Sequence, residues 1–210
     1  MDVKQQHQTT ALRSTLRQTF RERRKALSNS EQASAAQGLI EQVNKHALLK
    51  GASRVALYMT NDGELDTKPL IEHLWKSNIE VYLPVLHPFS DGHLLFLRYK
   101  KNTHMRANHF GILEPRLDCR DVCPLRQLDL LFTPLVAFDE QGNRLGMGGG
   151  FFDRTLANLV FDPSSTVRVV GLAHDIQKAL SLPTQAWDIP LPYILTPSQL
   201  YRGKSALKSE

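Results

Sequence analysis

Cysteine is nearly absent from this chain, with Cys119 and Cys123 the only two in 210 residues. That is too few for a disulfide scaffold. Long apolar runs are missing too: none approaches the ~20 residues a membrane span needs. The opening MDVKQQHQTT is polar and has no apolar signal core. Internal repeats and long low-complexity segments are lacking. Charge of one sign does not dominate, since the formal net charge is +5. That value favours an anionic partner without naming one. A cytoplasmic enzyme or binding protein is the simplest class left. What is present is ordinary for a globular chain: 41% hydrophobic and 22% charged residues, too apolar for disorder. The length fits one domain.

Periodicity organises the chain. Over 11–27, Leu12, Leu16 and Phe20 recur every four residues and Leu27 follows one heptad after Phe20, which predicts a helix. Arg13, Arg17, Arg21 and Arg24 form a basic stripe on a neighbouring face. Ser28 and Glu31 have capping-box spacing and open a second helix, expected to run to about Leu49 with Ala36, Ile40, Val43 and Ala47 inward. RVALYM (54–59), IEVYLPVL (79–86) and LLFLRY (94–99) read as strands, with a helix at PLIEHLWK (69–76). Residues 100–127 have little periodicity and read as a long loop or small lobe. LDLLFTPLVAFD (128–139) is apolar enough for a central strand, ending near Thr133-Pro134. Further elements are expected at 153–160 (helix), 167–173 (strand), 175–181 (helix) and 193–196 (strand). The fold class is therefore α/β: an open, mostly parallel sheet flanked by helices, a three-layer sandwich. Residues 11–200 form its single domain, between a polar N-terminal tail (1–10) and a polar C-terminal tail (201–210).

One stretch departs from this regularity: NRLGMGGGFFDRTL, residues 143–156. Each glycine costs roughly 0.5–1 kcal/mol of chain entropy relative to alanine, so Gly146, Gly148, Gly149 and Gly150 together are expensive. A strand, a glycine-rich turn and a helix start make a concave nest of N–H groups at the positive end of a helix, where phosphate binds well. No Lys-Ser or Lys-Thr follows, so this is not a Walker loop. Nor is it the dinucleotide fingerprint, whose third glycine would fall at Phe151. A tight strand-to-helix turn is the plainer alternative. Asp153 suits an N-cap. A carboxylate beside a phosphate cradle also calls for a cation between them, and Mg²⁺ held by one or two carboxylates plus nucleotide phosphates meets that need. Asp188, in AWDIP, is the candidate for a second carboxylate; a turn aspartate is the alternative.

GNRLGMGGGFFDR resembles the signature of the 5-formyltetrahydrofolate cyclo-ligase family. RSTLRQTFRERRKALS, NDGELDTKPLI, FGILEP, DLLFTPLVAFDEQGNRLG, VVGLAHDIQKALSLP and WDIPLPYILTP follow the family's order, so the resemblance covers about residues 11–200. It implies an ATP-dependent enzyme that converts 5-formyltetrahydrofolate, possibly as polyglutamates, to 5,10-methenyltetrahydrofolate with release of ADP and phosphate. Mg²⁺ takes part. ATP phosphorylates the formyl oxygen, and N10 closes the ring as phosphate leaves. Phosphoryl transfer needs positioning and charge neutralisation above all.

The resemblance also assigns residues. Arg13 and Arg17 stand at positions that contact ATP phosphates. Arg144, Leu145, Gly146, Met147, Gly148, Gly149, Gly150, Phe151, Phe152 and Asp153 match the ATP loop, with Arg144 and Asp153 the catalytic pair. Asp153 and Asp188 match the acidic positions near Mg²⁺. Met59 and Glu64 match substrate positions, an exposed loop acid being the plainer reading of Glu64. Phe151, and with it Tyr82, either packs on the pterin or adenine ring of a ligand, which would make Phe151 a substrate contact, or belongs to the core. The chain departs from the family at several places. Phe151-Phe152 replace a common Tyr-Tyr. Met147 and Gly149 stand where some members carry Arg and Lys, and Arg13 replaces a common Lys. Gln185 and Pro192 stand where acids are found.

Other readings are less economical. Cys119, Cys123, His104 and His109 have loose spacing for zinc. The basic helix lacks any accompanying nucleic-acid motif. The stronger rival is a non-catalytic folate or nucleotide binder of the same fold.

Overall fold

A computed structural model describes residues 3–160, 162 and 164–204. In chain order it contains α1 (Val3–Lys25), α2 (Asn29–Lys45), β1 (Arg54–Ala56), α3 (Lys68–Lys76), β2 (Glu80–Leu86), β3 (Leu94–Tyr99), β4 (Met105–Ala107), β5 (Leu113–Pro115) and β6 (Val122–Cys123). Then follow β7 (Leu130–Pro134), β8 (Ala137–Phe138), β9 (Arg144–Leu145), α4 (Phe151–Val160), β10 (Arg168–Leu172), β11 (Tyr193–Leu195) and β12 (Leu200–Arg202). Eight strands make one sheet in the order β12-β11-β10-β7-β1-β2-β3-β6. The neighbours from β11 to β2 pair in parallel, and β12, β3 and β6 pair antiparallel at the margins.

Alternation along the strands creates the three layers. Successive side chains point to opposite faces. Val55, Val81, Leu130, Phe132, Val170 and Leu172 therefore pack with Leu39 and Val43 of α2 and Leu70 and Leu74 of α3. Their chain neighbours Ala56, Tyr82, Leu131 and Val169 pack with Leu156 and Leu159 of α4. α1 joins a smaller cluster, where Phe20 meets Val136, Ala137 and Leu145 of the β8–β9 hairpin. Ser28 caps α2 as its spacing predicts: it accepts from Glu31 N at 3.3 Å, and its own N–H donates to Glu31 Oε2 at 2.8 Å. Ser28→Ala is expected to cost about 1 kcal/mol, read as a lower denaturation midpoint at unchanged slope.

Several boundaries differ from the sequence reading, each for a physical reason. α1 begins at Val3, within the expected tail. Residues 3–10 contain no glycine or proline, and the glutamines and lysine among them are good helix formers. α2 ends at Lys45, so Ala47 lies outside it with φ +48, and Leu39 takes the inward place. The expected helix at 175–181 is a single 3₁₀ turn, Asp175–Gln177. Its chain is pulled out of helical form because Ala179 N donates to Phe138 O at 2.7 Å. The 100–127 region contains the β4–β5 hairpin, closed around buried Glu114, which accepts from Leu86 N and Asn108 Nδ2 at 3.2 Å each. At the C-terminal side Tyr201 and Arg202 belong to β12, while 205–210 and the first two residues lie outside the described part.

The topology also places a crevice. From β1 the chain moves outward to β2 on one side, then returns to β7 on the other and continues to β10. The direction of winding reverses between β1 and β7. Ligands of open α/β sheets bind outside the carboxyl ends of the strands at such a point. Residues 57–64 leave β1 there. The β8–β9 hairpin and the glycine loop leave β7 there.

Candidate active site

α1 lies across this crevice and delivers its arginine stripe to it. Arg13 forms a two-pronged pair with Asp188, at 2.5 and 2.9 Å, and donates to Pro183 O at 2.7 Å. Arg17 donates from Nε to Gly146 O at 2.8 Å. Arg144 reaches Asp153 Oδ1 from Nη2 at 2.6 Å and also donates to Ile189 O. Thus the structure brings Arg13, Arg17, Arg144, Asp153 and Asp188 together, three cations against two carboxylates. The imbalance is visible at Arg17. Burial first, and then the like charge of Arg13, pull its pKa below the ordinary arginine value, while Asp188 and Asp153 oppose the shift. Burial does the same to Arg144, with Asp153 opposing. A cluster of desolvated cations short of counter-charge favours an anion.

The glycine loop supplies the rest of the cradle. Gly148 has φ +103 and Gly150 φ +69, conformations that side-chain-bearing residues rarely adopt. α4 starts at Phe151, so the loop delivers its backbone to the helix's positive end. Asp153 is therefore in the first turn of α4 rather than at its N-cap. It is 28% exposed and has one oxygen on Arg144. Asp188 has both oxygens on Arg13, and Gln185 N donates to it at 2.8 Å. Among the described residues no group of three or more His, Cys, Asp or Glu could hold a metal unaided. A cation there would complete its shell with water or with a ligand's own oxygens.

The other expected residues fall into two groups. Glu64, at the far end of the β1 loop, is only 12% exposed and sits 3.8 Å from Arg24 Nη2. It accepts from Asn61 N at 3.1 Å. Burial raises its pKa to about 7, against the pull of Arg24. Met59 packs partly on the core beneath that loop. Phe151 stands edge-on to Phe110, with ring centroids 5.9 Å apart, and its ring fills the space where Gly149 has no Cβ. Met147 is half-exposed at the loop's crest. By contrast, the side chains of Leu145 and Tyr82 are buried in the core. Tyr82 donates its hydroxyl to Glu80 at 2.6 Å, so it is core and not a ring platform. Phe152 packs against the α4 core, where a tyrosine hydroxyl would need a partner.

Two further residues were given no site role by sequence reasoning. Arg154 donates to Gly149 O at 2.5 Å and to Gly92 O at 2.8 Å, tying the glycine loop to the β2–β3 turn. Arg24 is completely buried between the β1 loop and the glycine loop. Its place in the regular arginine stripe was the available signal.

Glu64 also gives the fold a pH signature. Its folded pKa, about 7, lies above the ordinary 4.5, so the native state holds an extra proton between these values. Stability therefore falls as pH rises through that window. Buried His174 works in the opposite direction, since burial lowers its pKa. Comparing wild type with Glu64→Gln isolates the carboxyl: the difference in unfolding free energy is expected to grow from pH 4.5 to 7, in favour of the variant, and then level off.

The model of the 5-formyltetrahydrofolate cyclo-ligase family matches residues 9–197. The 5-formyltetrahydrofolate cyclo-ligase of Escherichia coli (strain K12) is 50% identical over 182 residues, covering 87% of this chain and 98% of the relative. That of Haemophilus influenzae is 50% identical over 190 residues, covering 89% and 98%. The NMR structure of Aquifex aeolicus 5,10-methenyltetrahydrofolate synthetase superposes with TM-score 0.77 at 30% identity, covering 92% of this chain and 93% of that one. With an eight-stranded sheet of the same α/β class and a match along nearly its whole length, the chain belongs to the 5-formyltetrahydrofolate cyclo-ligase family.

Proposed function

We propose that this protein converts 5-formyltetrahydrofolate to 5,10-methenyltetrahydrofolate, spending one ATP, in the cytoplasm. One observation carries the reading: the glycine loop, with Arg17 and Arg144 beside it, opens at the same topological switch point as the loop bearing Glu64. A polyphosphate and a polar heterocycle can therefore lie end to end. No helix among the described residues is long and apolar enough to cross a membrane.

The chemistry that the family resemblance implies is compatible with that placement. The formyl oxygen attacks the γ-phosphorus and ADP departs, leaving a phosphorylated imidate carbon on N5. N10 attacks that carbon, the C–O bond breaks and phosphate leaves. Loss of the N10 proton gives the methenyl cation. Arg17, Arg144 and the loop N–H groups bind the phosphates and spread the developing charge. Arg13 joins them by turning from Asp188 to phosphate. Glu64, in its ionised form, accepts from N–H groups of the pterin and fixes its face. Met59 and Phe151 supply apolar contact beside it.

Mg²⁺ fits this site as a shared ligand rather than a caged one. It would neutralise the transferring phosphoryl group and hold it in line. Asp153, partly exposed and with one oxygen on Arg144, would hold it together with phosphate oxygens. Asp188 would join only when phosphate draws Arg13 away from it. The test is direct: purified protein, 5-formyltetrahydrofolate, ATP and Mg²⁺ should produce the methenyl chromophore, and omission of Mg²⁺ should abolish it. Folate binding without turnover would favour the non-catalytic binder.

A further inference from the structure

Arg24 is fully buried, at 0% exposure. A buried guanidinium needs partners on several sides. Those of Arg24 come from three separate segments. In the β1 loop, Nε donates to Asp62 O at 2.8 Å, Nη2 donates to Asp62 Oδ2 at 3.0 Å, and Nη2 stands 3.8 Å from Glu64 Oε1. At the base of the β8–β9 hairpin, Nη1 donates to Leu135 O at 3.1 Å. In the glycine loop, Nη2 lies 3.9 Å from Met147 Sδ. The backbone is equally engaged. A Cβ on Gly63 would come within 3.2 Å of the Arg24 carbonyl, and Gln32 Nε2 spans Arg24 O and Gly63 O at 3.4 Å each.

One planar, rigid fork thus touches both loops of the crevice. Asp62 does not depend on it for neutralisation, because Arg21 and Lys25 also pair with Asp62, at 2.7 and 2.5 Å. Among the described residues no other cation is paired with Glu64. The distinctive work of Arg24 is therefore to place a positive charge beside Glu64 and to relate its loop to the glycine loop.

We propose that Arg24 is a positioning residue that makes occupation of the glycine loop and occupation of the Glu64 loop favour one another. This rests on the functional reading above, in which the first takes nucleotide and the second takes folate. A ligand that sets the position of one loop sets the shared guanidinium, and through it the loop that takes the second ligand. A lysine retains the charge but has no fork to span the segments.

The experiment measures 5-formyltetrahydrofolate affinity calorimetrically, with and without a non-hydrolysable ATP analogue plus Mg²⁺. It is done on wild type, Arg24→Lys and Arg24→Met, each checked for folding by circular dichroism and thermal melting. The analogue should tighten folate binding about tenfold in wild type, and by less than about twofold in both variants. A purely structural role would weaken both ligands and leave that ratio intact. If Arg24→Met does not fold, the ratio in Arg24→Lys decides. A wild-type ratio retained in Arg24→Lys overturns the proposal, as does a ratio near one in a wild-type protein that turns over. Wild type that binds neither ligand overturns the functional reading beneath it, which is a separate result.

Discussion

Asp153→Asn is expected to lower turnover by about 10²–10³-fold, the order lost when one preorganised electrostatic partner of a transition state is removed. Folate affinity should stay within about threefold, because the carboxylate acts on the charge of the phosphates and not on the pterin. The substitution is nearly isosteric. Asn keeps an oxygen for Arg144 Nη2, which now bonds Oδ1 at 2.6 Å, so the buried arginine keeps an acceptor and α4 keeps its first turn. What disappears is the negative charge that offsets Arg144 and that would help hold Mg²⁺. The Mg²⁺ concentration for half-maximal rate should rise with it. Methenyl formation under single-turnover conditions, beside a folate binding isotherm, separates the two effects. Turnover equal to wild type would remove Asp153 from the mechanism.

Gly148→Ala should raise the KM for ATP by about 10–100-fold, since a strained loop residue costs on the order of 1–3 kcal/mol. The residue sits at φ +103, where an L side chain is strained even though space is available: the nearest group to an added Cβ is the Arg17 guanidinium, 4.0 Å away. The loop must then either keep its shape under strain or relax and aim its N–H groups elsewhere. Both outcomes weaken the cradle. Gly146→Ala is the informative comparison. That position has ordinary backbone and nothing within 4 Å of an added Cβ, so its effect should be clearly smaller. Folate affinity measured without nucleotide should move with neither. An unaltered ATP KM in Gly148→Ala would show that the positive φ serves packing alone.

The arrangement shows what Met147, Phe152 and Gly149, three of the departures noted in the sequence, do here. Met147 brings a sulfur to Arg24 in place of a loop arginine, and Arg17 and Arg144 carry the charge instead. Phe152 lies against the α4 core, where no hydroxyl is required. Gly149 leaves room for the Phe151 ring, which an added Cβ would meet at 2.8 Å.

Local features were legible in the sequence because their causes are local. Strand alternation put Val55 and Ala56 on opposite faces. The Ser28–Glu31 spacing stated its own hydrogen bonds, and four glycines before a helix start marked a loop with special backbone angles. The family signature added which of these residues to follow. The misplaced elements fail for the opposite reason. The turn at Asp175–Gln177 stops short because a distant strand claims the backbone of Ala179. Tyr82 read equally as site or core, and Leu145 only as part of the ATP loop, until the packing of α4 and α1 closes over their side chains.

By itself, then, the sequence determined the layered α/β class, the arginine stripe and the glycine loop, since periodicity, turn chemistry and spacing act within a few residues. The pairing of Asp153 with Asp188 was an expectation of the family resemblance. Only the tertiary structure decided which charges meet. Arg13 lies 175 positions from Asp188, and Arg24 lies 111 from Leu135. Those pairings arise because the winding of the sheet reverses between β1 and β7, which opens a crevice that α1 then crosses. Burial in that crevice, not composition, moves Glu64 to a pKa of about 7 and leaves Arg24 bound to both loops at once.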